Sequence, residues 1–389
     1  MAYERAAPPS PAAAVPGALD RLGAALRAAA PALLAYAAVR ATGLLVMSVW
    51  MAFAEESPRR FLNRRWDSLW YARIAEDGYG YTRFSAGRWH PDEAFFPLFP
   101  VLERAVTAVV PVSANGAGLL VGWTAALAAA WGIFAVATLL YRRMVGVVLV
   151  ALWAAVPPAF VQSMAYTETL FTALAAWALF AVLTGRWWWA GALAVAAGLT
   201  RPSGVAVVAA VLVGGAVELL LRRSGAPRRR VLAAMAIAPL GWLGYVGYVS
   251  WRRSSPTGYF DVQAEWGNGF DGGVAFLRFV TGMLGTNPAH GLLILAALAA
   301  LAALLVQCVR QRQPLPLLAY TAVLAVTALV GAGYFTSRPR LLMPAFALLL
   351  PLAVWLAGKP RAATAGAVAA AAVSSGVYGT WFLLYEGPP

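Results

Sequence analysis

One cysteine, Cys308, and one lysine, Lys359, occur among 389 residues, together with two histidines, His90 and His290. A single thiol leaves no disulfide framework and no multi-cysteine metal site. Two histidines are too few to expect a transition-metal enzyme. Charge is scarce as well: 12% of the residues are charged and 61% are hydrophobic. A soluble globule needs a far larger polar share to cover its surface, so that class is excluded. Acidic residues are outnumbered by basic ones, giving a formal net charge of +14. No nucleic-acid-binding motif accompanies this excess, so nucleic acid is not an expected partner; membrane lipids, through anionic headgroups and phosphates, are nearer ones.

What the chain has in abundance is apolar run, with a mean hydropathy of +0.69. The fold class expected is an all-α polytopic membrane protein with about eleven transmembrane helices. The spans fall near 31–54, 117–140, 144–165, 167–184, 187–200, 203–221, 231–251, 290–308, 315–334, 341–357 and 362–384. The short pair around Thr200-Arg201-Pro202-Ser203-Gly204 reads as half-spans or tilted helices. Residues 1–30, Ala/Pro-rich and without a signal-peptide cleavage pattern, read as a disordered cytoplasmic tail. Arg142 and Arg143, Arg186, Arg222 to Arg230, Arg310 and Arg312, and Lys359 and Arg361 fall on one side once the spans are counted. That side is expected to be the cytoplasm of a multi-pass plasma-membrane protein. Residues 31–251 then form one transmembrane module including an external loop, 55–116. Residues 252–289 form a second, irregular external loop able to act as a lid, and 290–389 the C-terminal transmembrane helices.

The external loop 55–116 is too polar to span and too aromatic to be unstructured. Trp66, Leu69, Trp70, Ile74 and Tyr79 recur near helical spacing, which predicts an interfacial amphipathic helix, and 95–110 predicts a second. Arg59, Arg60, Arg64, Arg65 and Arg73 on this loop run against the positive-inside bias and point to an anionic lipid phosphate. Polar chemistry concentrates in Arg65-Trp66-Asp67-Ser68-Leu69-Trp70-Tyr71 and His90-Pro91-Asp92-Glu93. Arg40 sits inside the first span, where an arginine is either functional or paired. Trp187-Trp188-Trp189 reads as a cytoplasmic aromatic belt.

These blocks resemble the PIG-V family of mannosyltransferases in the GT-C glycosyltransferase superfamily, in its bacterial, actinobacterial-type form. The resemblance rests on Trp66-Asp67-Ser68-Leu69-Trp70-Tyr71 with Gly78-Tyr79, on Ala94-Phe95-Phe96-Pro97-Leu98-Phe99-Pro100, on Pro158-Ala159-Phe160 leading to Tyr166-Thr167-Glu168-Thr169-Leu170-Phe171, and on Thr200-Arg201-Pro202-Ser203-Gly204. They cover about a third of the chain, in that family's order. Arg340-Leu341-Leu342-Met343-Pro344 is similar in character to an arginine-and-proline motif of lipid-phosphate-sugar transferases. The resemblance implies a GT-C fold with an external active site. It also implies a polyprenyl-phosphate-mannose donor and inverting transfer to a hydroxyl of a glycolipid or glycan.

Inverting transfer needs one base for the acceptor proton and positive charge for the departing phosphate. Asp67 is the candidate base; as an alternative it would cap the helix that it begins. His90 and Glu93 are further catalytic candidates, to assist the base or orient the acceptor. Trp66, Trp70, Tyr71, Asp92, Tyr166 and Glu168 are candidate substrate contacts. Arg201, Arg340 and Arg338 are candidate ligands of the donor phosphate, and Glu168 with Arg201 would also form a structural ion pair. No cofactor is expected; a divalent ion shared by His90, Asp92, Glu93 and Asp67 is the less favoured version. Three other readings stay open: a GT-C transferase of arabinofuranose or glucose, a lipid or sugar flippase, and a non-catalytic membrane partner of a transferase. A transporter would be expected to show internal repeats, and none is found.

Overall fold

The computed structural model describes residues 17–222 and 224–386, so most of the expected tail lies outside them. The chain is a nearly all-helical polytopic membrane protein. Helix α1 (Ala18–Phe53) begins inside the segment expected to be tail. The reason is local: Ala-rich sequence favours helix, and Asp20 accepts from the Gly17 N–H at 3.1 Å to close the first turn. Pro31 lies within α1 and cannot bond back to the Arg27 carbonyl. Arg143 donates instead to the carbonyls of Arg27 (3.3 Å) and Ala28 (2.6 Å).

The loop 55–116, expected to be external, folds as α2 (Pro58–Asn63), α3 (Asp67–Asp77), a hairpin of β1 (Thr82–Ser85) and β2 (Arg88–Pro91), and α4 (Leu98–Thr107). The two helices match the amphipathic reading; the hairpin was not expected. Its antiparallel register pairs Arg83 with His90 and Phe84 with Trp89. Ala86 (φ 50°) and Gly87 (φ 75°) make the left-handed two-residue turn that such hairpins use.

Then follow α5 (Ala114–Leu140), α6 (Arg143–Ala154), α7 (Glu168–Leu183), α8 (Trp187–Gly198), α9 (Val205–Leu221), α10 (Arg228–Ile237) and α11 (Leu240–Arg252). The expected lid loop is instead largely helical, as α12 (Gly258–Glu265) and α13 (Val274–Thr286). The glycines that interrupt this apolar segment, such as Gly272 and Gly282, hid the second helix from a hydropathy reading. The chain closes with α14 (Pro288–Arg310), α15 (Leu315–Val330), α16 (Arg338–Leu342), α17 (Leu350–Ala357) and α18 (Arg361–Tyr385). Among the described residues six helices are long and apolar enough to cross a membrane, or eight with each bent pair taken as one span.

Two expected spans are broken. Arg143–Ala154 and Pro157–Ser163 meet at 86°, and Phe335–Leu342 and Phe346–Ala357 at 74°. Prolines 157, 158 and 344 remove the N–H groups that continuation would need. Buried side chains satisfy the carbonyls released at the breaks. Arg40 donates to Ala154 O (3.2 Å) and Ser163 Oγ (2.8 Å), Gln162 to Trp153 O (2.9 Å), and Tyr320 to Pro344 O (2.9 Å). Arg40 is therefore a structural partner of the first break.

Helix α5, 27 residues and about 40 Å long, separates two ends of the molecule. Beyond its C-terminus Arg142 bonds Ala357 O and Arg143 reaches the start of α1. At its N-terminus Asn115 bonds Asn63 and Ser68. The second end carries the loop 55–116 and the polar cluster.

Candidate functional site

Helix α3 opens on a strained residue. Trp66 has φ 53° and ψ −127°, a conformation costing about 1–3 kcal/mol for a non-glycine residue. The surroundings hold it: the Ser68 hydroxyl donates to Arg65 O (2.7 Å), and Asp67 N–H donates to the Tyr166 hydroxyl (3.3 Å). Asp67 is the first helical residue, and among the described residues its side chain bonds Arg340 rather than a backbone N–H of the first turn. Its Oδ2 accepts from Arg340 Nη1 at 2.8 Å, and Oδ1 has no protein partner among the described residues.

Arg340 continues inward. Its Nε lies 3.3 Å from Glu168 Oε1, and its guanidinium stacks over the Tyr166 ring at 5.2 Å. Glu168 also pairs with Arg201, and Arg201 donates to Thr167 Oγ1 at 3.1 Å. The Tyr71 hydroxyl meets the same threonine at 3.3 Å. The result is an alternating chain of charge, Asp67, Arg340, Glu168, Arg201, drawn from α3, α16, the start of α7 and the turn between α8 and α9. Exposure is graded along it: the Asp67 side chain is 24% accessible and the Glu168 side chain 1%.

A cavity of about 660 Å³ lies over this chain, within the size range of small-molecule sites. Of the sequence candidates, Trp66, Asp67, Trp70, Tyr71, His90, Arg201 and Arg340 line it. Tyr166 and Glu168 lie behind that lining and hold Arg340. Arg73, one of the loop arginines read as pointing to a lipid phosphate, also lines the cavity, and so do residues that sequence reasoning missed: Arg83, Gln263, Trp266, Asn268 and Tyr334. Arg73 stacks on Tyr81 at 3.6 Å, and neither Arg73 nor Arg83 pairs with a carboxylate among the described residues. The period-2 alternation Arg83, Ser85, opposite Arg88, His90, was the signal available for the hairpin's polar face.

Three candidates are placed elsewhere. Asp92 is buried and accepts from the N–H groups of Gly80 (3.0 Å) and Tyr81 (2.8 Å), clasping the base of the hairpin. Burial raises its pKa, against those two bonds. Glu93 is buried against Arg253 (3.2 Å) and Arg252 (3.5 Å), tying the loop to α11, and it does not reach the cavity. Arg338 donates to the carbonyls of Ala328 (2.7 Å) and Leu329 (2.6 Å) and stacks on Phe276 at 4.0 Å. It holds the end of α15, which Gly331 terminates. His90 lines the cavity but stands edge-on to Trp266 at 4.7 Å, with Nδ1 3.4 Å from Ser85 Oγ. Among the described residues no three His, Cys, Asp or Glu side chains gather as metal ligands do, which separates His90, Asp92, Glu93 and Asp67 as a set.

No protein-family description matches the sequence, and no curated protein does. A solved structure does match: ArnT from Cupriavidus metallidurans bound to undecaprenyl phosphate, with a TM-score of 0.51 at 15% identity. The fold is the GT-C glycosyltransferase fold. The match covers 85% of this chain and 61% of ArnT, so the chain spans under two thirds of that protein's length. Within this GT-C fold the charged chain and its cavity sit where the loop 55–116, the α8–α9 turn and the second broken span converge.

Proposed function

We propose that the protein is a membrane glycosyltransferase that moves mannose from polyprenyl-phosphate-mannose to a hydroxyl of a glycolipid or glycan, with inversion, at the external membrane face. The observation that carries this reading is Asp67: a partly exposed carboxylate with one oxygen lacking a partner among the described residues, held by Arg340 in a cavity rich in arginine. Oδ1 takes the proton of the acceptor hydroxyl as its oxygen bonds to the anomeric carbon. The bond from that carbon to the phosphate oxygen breaks, and its electron pair leaves with the polyprenyl phosphate. Attack opposite the leaving group inverts the anomeric centre.

Four arginines, Arg73, Arg83, Arg201 and Arg340, line the cavity against one lining carboxylate, Asp67, with Glu168 behind. Arg201 and Arg340 are already matched by carboxylates. Arg73 and Arg83 are not, and they supply the unspent positive charge for the donor phosphate. The undecaprenyl phosphate bound to ArnT supports this donor class. Mannose rests on the PIG-V resemblance of the motifs from Trp66 to Gly204. No cofactor is proposed, since arginine takes the role that a metal would otherwise fill at the phosphate.

The test is to incubate the purified protein in lipid nanodiscs with polyprenyl phosphates carrying radiolabelled mannose, glucose or arabinofuranose. Label is expected to move from the mannosyl carrier to a saccharide acceptor. Preference for another carrier would replace mannose. Intact donor with all three, in protein shown to be folded, would contradict the transferase reading and favour a flippase or a non-catalytic partner.

A further inference from the structure

The cavity has two chemically different walls. One is the charged chain that ends at Asp67. The other is the segment from Gln263 to Asn268, and it contributes only neutral groups: two amides and an indole. Glu265, the one charged residue of that segment, is paired with Arg253 at 3.2 Å, away from the lining. The wall is built in place. Trp266 Nε1 donates to Pro91 O at 2.8 Å, Gln263 Nε2 to the Tyr259 hydroxyl at 3.2 Å, and Asn268 Nδ2 to Gln263 Oε1 at 3.0 Å. Beyond it, Ala332 N–H donates to Gly269 O at 2.8 Å, fastening the segment to the stretch between α15 and α16 that leads to Arg340.

These bonds leave hydrogen-bonding capacity unspent. Among the described residues Asn268 Oδ1 accepts no hydrogen bond, and Gln263 retains one amide proton and one lone pair. Trp266 meets Trp70 at 5.2 Å, and Trp70 lies one turn beyond Asp67 on α3. Amides that both donate and accept, beside indole rings and without charge, suit a ligand whose hydroxyls ring an apolar C–H face. Among its three lining side chains a phosphate or a carboxylate would find no counter-charge; the Arg88 guanidinium, which packs against Gly267, is not part of the cavity lining. A base at Asp67 also requires the acceptor hydroxyl to lie beside α3.

We propose that Gln263, Trp266 and Asn268, with Trp70, form the acceptor subsite, and that the acceptor unit held there is a neutral sugar ring. This rests on the transferase reading above for the role of acceptor, and on the wall itself for sugar binding.

The probe is methyl α-mannopyranoside, with methyl glucuronide as its charged counterpart, added to the full-length protein in nanodiscs. Saturation-transfer NMR is expected to show contact with the neutral sugar and much weaker contact with the charged one. The double variant Gln263→Ala/Asn268→Ala is expected to lose that signal. It is also expected to raise the acceptor KM about tenfold while the donor KM stays in place. Asn268→Asp, equal in size, should weaken the neutral sugar in the same direction if the double variant fails to fold. Absence of contact between the wild type and the neutral sugar, or equal contact with the charged one, overturns the subsite whatever the activity. Transfer that proceeds with an unmoved acceptor KM in the variants also overturns it. Sugar contact without any transfer would leave the subsite standing and remove the transferase reading instead.

Discussion

Asp67 and Glu168 both touch Arg340, yet their surroundings assign them different work. Asp67 keeps one oxygen accessible to the cavity, whereas Glu168 is buried between two guanidinium groups and reaches no ligand directly. Removing one partner of a buried pair strands the other, at a cost of about 3–5 kcal/mol. Glu168→Ala is therefore expected to lower the unfolding midpoint strongly, as read by a thermal-shift measurement. A midpoint near the wild type's would mean that Glu168 is not needed to hold Arg201 and Arg340. Glu103 offers a second test at this scale. It is fully buried in α4, both of its oxygens lack partners among the described residues, and its carboxylate packs against Gly118, where a side chain would collide with it. Burial, with a smaller contribution from Glu76, pushes its pKa up to about 9. Because the folded-state pKa lies above the unfolded value, stability is fullest below about pH 4.5 and falls as pH rises toward about 9. Glu103→Gln should raise the midpoint at pH 8 and flatten its dependence on pH; an unchanged profile would show that Glu103 does not titrate this way. At this scale the sequence was most legible where a residue type is costly in an apolar chain: Asp67, Glu168 and Arg201 stood out by rarity. Asp92, Glu93 and Arg338 stood out equally, and only their partners, Gly80, Arg253 and the carbonyls of α15, show that they fasten the fold.

Among elements, α5 and α18 could be read to within a few residues because long apolar runs leave few alternatives, whereas about eleven spans were expected and six to eight helices among the described residues are long and apolar enough. The breaks could not. Pro157 and Pro344 announce an interrupted helix, but bends of 86° and 74° depend on Arg40, Gln162 and Tyr320 arriving from distant sequence to satisfy the released carbonyls. The hairpin was hidden for another reason: four-residue strands with arginine on one face and aromatics on the other carry little hydrophobic signal. The turn that presents Arg201 depends on close helix approach. A methyl group on Gly204 would meet Gly198 Cα at 2.6 Å, with backbone rather than a flexible side chain in the way. Gly204→Ala should cost about 1–3 kcal/mol and displace Arg201 from Glu168. The expected readout is a lower unfolding midpoint together with reduced transfer; full activity would show that the turn tolerates the shift.

At the scale of the whole molecule, the GT-C fold puts the charged chain and cavity at one end of the helices and the arginine loops at the other. The proposed orientation places the cavity outside. In a Cys308→Ser background, Ser85→Cys should react with a membrane-impermeant maleimide on intact cells, and Arg186→Cys only after permeabilisation. The reverse pattern would invert the topology. The most direct measurement of the central claim is turnover of polyprenyl-phosphate-mannose by Asp67→Asn in nanodiscs. The substitution keeps size and shape while removing the proton acceptor, and general-base catalysis is worth about 10²–10⁴-fold. Transfer reduced by that factor, in a variant that unfolds at a temperature close to the wild type's, is the predicted result. Transfer at the wild-type rate would contradict the assignment of Asp67 as the base.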